Sequence, residues 1–277
     1  MECKIKDLLV HYEIFGKGIP IIMLHGFPLD SQIMIGCMEP IFRERTGFQR
    51  IYIDFPGMGQ TPSAPWINST DDILQLTLDF IQKILLHQSF IVVGESYGGY
   101  ILNGVISKMR KNILGSLSIC PMINADSTKR NLPKHSVLER NIEYYNQLSP
   151  VLKNEYDSIL VIENKRVCSR YQKEIPDALL KANMQFLNNI QQNSYGYSWD
   201  SLDIVQPYQF PALFILGRQD DVVGYQEALT FAENFTRASC AVLDKAGHYA
   251  QVEQQSMFEN LVNEWLNRVK VNKEKIK

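Results

Sequence analysis

Short unbroken apolar runs alternate along the chain with longer stretches in which apolar positions recur three and four residues apart. The runs IPIIMLHG (19–26), RIYIDFPG (50–57), FIVVGES (90–96), ILGSLSICP (113–121) and PALFILGRQD (211–220) each close on turn-forming residues. Unalternated β-rich runs of this length mark strands covered on both faces. Between them, STDDILQLTLDFIQKILLH (69–87) places Ile73, Phe80, Ile81 and Ile84 on one helical face. Ser69 or Thr70 can cap its start, and Asp71 and Asp72 suit its dipole. YGGYILNGVISKMRKN (97–112) and SMFENLVNEWLNRVK (256–270) read as further helices. The alternation predicts an α/β fold with a mostly parallel central sheet flanked by helices, and DLLVHYEIFG (7–16) is placed in an antiparallel edge hairpin.

The rhythm stops between residues 124 and 206. A polar opening (NADSTKRNLPKH) leads into helix-like patterns, SVLERNIEYYNQL and PDALLKANMQFLNNIQQ, in a stretch rich in Tyr, Asn and Gln. The expectation is a helical cap inserted between two sheet strands, which divides the core into 1–123 and 207–277. Its aromatic residues could line a moderately apolar pocket or pack the cap onto the core.

Composition narrows the function classes. The 277 residues are 45% hydrophobic and 21% charged, with a net charge of −2, so a phosphate-tracking surface and nucleic-acid binding are not expected. No apolar run approaches a membrane span, and the N-terminus lacks the apolar centre of a signal peptide. The five cysteines (3, 37, 120, 168, 240) show neither disulfide nor zinc spacing and read as buried small hydrophobes in a reducing compartment, so a cytoplasmic location is expected.

The chemistry concentrates at GESYGG (94–99). A G-x-S-x-G directly after a buried strand and before a helix is the context of a nucleophile elbow, with Ser96 raised at the sheet edge next to a helix N-terminus. A serine hydroxyl needs a base oriented by a carboxylate. In the chain order nucleophile, acid, base, only His248 among the five histidines lies late enough. Asp220, closing the run PALFILGRQD, is favoured as the acid over Asp221, because adjacent residues on an extended loop end point to different sides. Asp200, Asp203 and Asp244 are weaker candidates, since none closes a clear buried strand. The loop HGFP after the strand IPIIML supplies Phe27 N–H as one oxyanion donor, and Tyr97 N–H is the other. His25 reads as a structural brace of that loop. DFPGMGQTP (54–62) lacks the third glycine of a dinucleotide fingerprint and reads as a tight structural loop. With no Walker loop and no clustered metal ligands, a cofactor-free and metal-free enzyme is expected.

In HGFP, DFPGMGQT, GESYGG, GRQD and AGH, taken in order, the chain resembles the α/β-hydrolase superfamily in its lidded, cofactor-independent branch. The resemblance implies Ser96, Asp220 and His248 as catalytic residues and segment 124–206 as the cap shaping the pocket. Haloalkane dehalogenases and epoxide hydrolases carry Asp at the elbow, so Ser96 argues against both. The expected function is carboxylesterase-type cleavage of a small-molecule acyl substrate through an acyl-serine. The alternatives are a proline iminopeptidase-like aminopeptidase, which would need cap acids such as Glu139, Glu143, Glu155, Glu163 or Glu174, and a lactonase, thioesterase or carbon–carbon hydrolase. A ligand-binding receptor on the same fold is the non-enzymatic alternative.

Overall fold

The computed structural model describes residues 1–202, 204 and 206–276, with side chains described through residue 271. Asp203, one of the weaker acid candidates, lies outside the described residues.

Eight strands make one sheet: β1 (Glu2–Ile5), β2 (Leu8–Gly16), β3 (Ile19–Leu24), β4 (Phe48–Ile53), β5 (Phe90–Glu95), β6 (Ile113–Ile119), β7 (Ala212–Gly217) and β8 (Ala238–Leu243). Their spatial order is β1-β2-β4-β3-β5-β6-β7-β8. Pairs from β4 through β8 are parallel, and β2 runs antiparallel to both β1 and β4. The edge hairpin therefore forms, with ECKI as the partner of the expected segment.

Strand side chains alternate between two cores, as a period of two requires. Ile22, Leu24, Val92 and Phe214 face one core with α2 (Thr70–Leu85), α3 (Tyr97–Met109) and α9 (Gln226–Ala232). Ile21, Met23, Val93 and Ile215 face the other, with α1 (Gln32–Phe42) and α11 (Gln255–Ile276). Both faces being covered explains why the runs are unalternated. Ser69 caps α2, its side chain accepting from Asp72 N–H, while Thr70 begins the helix. The pattern reading did not single out α1: it carries Pro40 near its end, no acid in its first turn and no side-chain N-cap bond. Packing of Ile33, Met34 and Met38 into the second core holds it in place.

Among the described residues between β6 and β7 the chain forms five short α-helices: α4 (Ile142–Asn146), α5 (Pro150–Asp157), α6 (Lys165–Glu174), α7 (Pro176–Lys181) and α8 (Met184–Asn193). Glu139–Arg140 and Ile162–Glu163 add a two-residue parallel ladder. Part of the segment's richness in Asn has a local cause, because Asn141, Asn164 and Asn183, together with Ser149, cap four of these helices through their side chains. Its attachment to the sheet layer is polar and buried. Glu253, in α10 (Ala250–Glu253), accepts from Val161 and Ile162 N–H with one oxygen and from Gly247 N–H with the other. Arg166 and Arg170 reach the α10 carbonyls of Val252, Glu253 and Gln251.

All five cysteines are free; Cys3, Cys37, Cys120 and Cys168 are buried as expected, but Cys240 is exposed. It lies on β8, the edge strand, whose positions are only partly covered.

Candidate active site

The elbow is built by two close backbone approaches. A Cβ on Gly94 would stand 2.3 Å from the Gly98 carbonyl oxygen, and one on Gly98 would stand 2.2 Å from that of Leu24. Glycine at both positions lets β5 turn directly into α3. Ser96 sits at the apex with φ 52° and ψ −117°, a strained conformation for a non-glycine residue. The surrounding backbone holds it there: Ser96 N–H donates to Ile119, and its carbonyl accepts from Gly99, Tyr100 and Met122.

Ser96, His248 and Asp220, each following a different strand, meet at the sheet edge. Ser96 Oγ lies 2.8 Å from His248 Nε2, and His248 Nδ1 lies 3.0 Å from Asp220 Oδ2. Asp220 Oδ1 accepts from Val222 and Val223 N–H, both at 3.0 Å, so the carboxylate is fixed at both ends. Asp220 is fully buried, and Ser96 and His248 are 8% and 7% exposed. The neighbouring acid has a different partner, since Asp221 Oδ2 lies 3.1 Å from His135 Nδ1. Asp200 bonds Leu202 N–H and Asp244 accepts from Gln219.

A second carboxyl adjoins the histidine. Glu95 is 1% exposed, its Oε1 is 3.8 Å from His248 Nε2, and neither oxygen has a hydrogen-bond partner among the described residues. Burial pushes its pKa up to about 7, aided by Asp220 and opposed by the charge of His248 and by the Gly26 N–H, which lies nearby outside hydrogen-bond geometry. Burial by itself lowers the pKa of His248, but the Asp220 carboxylate, through its charge and hydrogen bond, with smaller contributions from Glu95 and then Asp221, raises it to about 9. Glu95 lies inside the motif, yet no role was read from it. The available signal was a lone charge in an otherwise apolar run.

The HGFP loop lies against the elbow, because a Cβ on Gly26 would meet Glu95 Oε2 at 2.2 Å and Ser96 Cβ at 3.1 Å. Among the described residues, no acceptor engages the N–H of Phe27 or of Tyr97, the first residue of α3. His25 braces this loop: its Nδ1–H donates to the Gly26 carbonyl at 2.8 Å, and Nε2 accepts from Phe55 N–H at 3.0 Å. That pattern requires a neutral ring, consistent with burial lowering its pKa against the opposing pull of Asp54. Behind it, Asp54 accepts from Ser31 and Gln60 N–H and closes the 54–62 turn, in which Gly57 and Gly59 have positive φ.

Ser96 and His248 open into a cavity of about 600 Å³ walled by Phe27, Leu29, Met122, Ile175, Tyr195 and Tyr249. Of the aromatic residues in segment 124–206, only Tyr171 and Tyr195 line it. Tyr197 and Trp199 instead stack with Tyr100 along the wall of a separate, more open cavity of about 900 Å³.

The family model for the alpha/beta hydrolase fold matches residues 19–255. The chain belongs to this family. A solved alpha/beta superfamily hydrolase from Oenococcus oeni PSU-1 is 30% identical, with a TM-score of 0.86 over 98% of this hydrolase and 99% of that chain. The pimeloyl-[acyl-carrier protein] methyl ester esterase of Legionella pneumophila (strain Corby) is 20% identical over 93% of this chain and 99% of its own. A thermophilic esterase from Thermogutta terrifontis shares the fold, with 20% identity and a TM-score of 0.68 over 95% and 94% of the two chains. Among its described residues the hydrolase has no helix long and apolar enough to cross a membrane and no cluster of three or more potential metal-ligating side chains.

Proposed function

We propose that this hydrolase cleaves small-molecule carboxylic esters through an acyl-serine, with segment 124–206 as a cap over the substrate cavity. The observation that carries the reading is the continuous contact Asp220–His248–Ser96, with Ser96 at the floor of the 600 Å³ cavity beside two unengaged backbone amides. Asp220 holds the proton of His248 on Nδ1, leaving Nε2 to take the Ser96 proton as Oγ attacks the carbonyl carbon. The developing oxyanion is met by Phe27 and Tyr97 N–H, each such donor contributing ~3 kcal/mol to barrier lowering. His248 then protonates the leaving alkoxide. In the second step it deprotonates water, which releases the acid and restores Ser96.

The esterase names of the Legionella and Thermogutta relatives support the ester over other acyl bonds. The cap acids that the aminopeptidase alternative would need do not meet its requirement for an amine-binding carboxylate in this cavity. None of Glu139, Glu143, Glu155, Glu163 and Glu174 lines the cavity, and Glu163 and Glu174 are paired with Arg140 and Arg170. The direct test is labelling with a fluorophosphonate probe followed by peptide mapping. Ser96 is expected to carry the phosphonyl group, and absence of labelling in folded protein refutes the reading.

The titrating groups set a pH dependence. His248 acts as base only when neutral, and the carboxylates around it raise its proton affinity, so kcat/KM for 4-nitrophenyl butyrate is expected to rise with pH. The half-maximal point should lie above the ordinary histidine value of about 6.5. Because Glu95 and His248 interact, this limb reports the pair. Replacing Glu95 by Gln removes a negative charge that favours imidazolium, so the limb should move to lower pH by roughly 1 unit. A limb that stays in place removes Glu95 from the proton balance of the site.

A further inference from the structure

The 600 Å³ cavity holds one permanent cation. Among the described residues, Arg130 is the only basic side chain lining it apart from His248, and no aspartate or glutamate does. Arg130 lies on the segment that leaves β6, and its guanidinium is held from several sides. Nε donates to the Asn124 carbonyl at 2.8 Å, Nη1 to the Val222 carbonyl at 3.0 Å, and Nη2 to the Ala125 carbonyl at 3.3 Å and to Met122 Sδ at 3.2 Å. These bonds tie it to both catalytic segments: Met122 N–H bonds the Ser96 carbonyl, and Val222 N–H bonds Asp220.

Every one of those partners is neutral. Among the described residues no acid bonds the guanidinium: Asp220 pairs with His248, Asp126 with Lys129 and Thr128, and Glu227 accepts from Asn131 N–H, so each acts on Arg130 only through space. The charge is thus fixed in position with no acid bonded to it, and burial pulls its pKa below the ordinary arginine value against the weaker, through-space pull of Asp220, Asp126 and Glu227. Four of the five guanidinium N–H groups are used, leaving one on Nη1. A neutral chain filling this cavity would strip water from the cation and return nothing in exchange, which disfavours its binding. A chain ending in an anion would replace that water with a charge-assisted hydrogen bond. One remaining N–H, with Ser127, Gln191 and Gln192 also on the wall, suits a carboxylate better than a phosphate, which calls for a denser set of donors.

We infer that Arg130 is the anion-recognition residue of the Ser96 cavity and that the substrates are esters bearing a carboxylate remote from the scissile bond. This rests on the serine-hydrolase reading and sharpens it from esters in general to half-esters of dicarboxylic acids. A cation that merely strapped segment 124–130 to the Val222 loop would affect charged and neutral esters alike. Substrate charge discriminates the two roles.

The test compares mono-(4-nitrophenyl) adipate with its methyl ester, 4-nitrophenyl methyl adipate, which has the same chain and no charge. The wild-type hydrolase is expected to favour the monoacid in kcat/KM by about 10- to 100-fold. Arg130→Gln should collapse that ratio to about one or below, and Arg130→Lys, which keeps the charge, should retain part of it. Equal handling of the two esters by wild type, or an unchanged ratio in Arg130→Gln, overturns the proposal. A second readout does not depend on turnover: calorimetric titration of Ser96→Ala protein with monomethyl adipate and dimethyl adipate should show tighter binding of the monoacid. Should no ester be hydrolysed and no fluorophosphonate label appear, the serine-hydrolase reading fails. The binding preference then decides the role of Arg130 by itself. If Arg130→Gln does not fold, the wild-type ratio and the Arg130→Lys ratio decide.

Discussion

Substituting Ser96 by alanine is expected to lower turnover of 4-nitrophenyl butyrate by about 10⁴- to 10⁶-fold, the range seen when an activated serine nucleophile is removed. The loss should come without loss of fold. The side chain of Ser96 makes a single hydrogen bond, to His248, while its strained φ and its backbone bonds to Ile119 and Met122 are available equally to alanine. Thermal unfolding should therefore stay within a few degrees of wild type, and fluorophosphonate labelling should vanish. Turnover that survived in a folded Ser96→Ala protein would falsify the assignment, because no other hydroxyl stands within hydrogen-bond distance of His248 among the described residues.

The second large effect separates two adjacent acids. Asp220→Asn is expected to reduce kcat by ~10⁴-fold. An amide at this position can turn its NH₂ toward Nδ1, which moves the imidazole proton to Nε2 and leaves nothing to accept the Ser96 proton. It also removes the charge that contributes most to raising the proton affinity of His248. Asp221→Asn, one residue away, should change kcat by less than about 3-fold. Its carboxylate contacts His135 at a partly exposed position, and ion pairs of that kind contribute little. Parallel steady-state kinetics of the two variants decide the matter, and a crippled Asp221→Asn with an active Asp220→Asn would transfer the acid's role to Asp221.

Much of the fold was legible because strands covered on both sides have a distinctive pattern. The five runs correspond to β3 to β7, and Gly94 and Gly98 around Ser96 stand where side chains would strike backbone. Other parts were illegible for physical reasons. Helix α1 is held by core packing of Ile33, Met34 and Met38 rather than by caps or charge, so its local signal is weak. Cys240 has an apolar neighbourhood in sequence but an uncovered one in space, because being an edge strand is a property of sheet order. Glu253, which ties segment 160–163 to the loop of His248, resembles any helical glutamate until those amides are brought to it.

What the sequence determined by itself was the succession of the buried strands β3 to β7 with the helices α2 and α3 between them, the elbow, and the loop positions of Ser96, Asp220 and His248. These follow from local backbone demands and from the periodicity of burial. Only the tertiary structure decided which of two adjacent aspartates faces the histidine, that Glu95 shares its buried surroundings, and that Arg130 enters the cavity with no acid bonded to it among the described residues. Such facts depend on distances between residues far apart in the chain: 152 positions separate Ser96 from His248, and 92 separate Arg130 from the Val222 carbonyl that holds it. Electrostatic energy is set by those distances and by the exclusion of water, and neither exists until the sheet has brought the strand ends together.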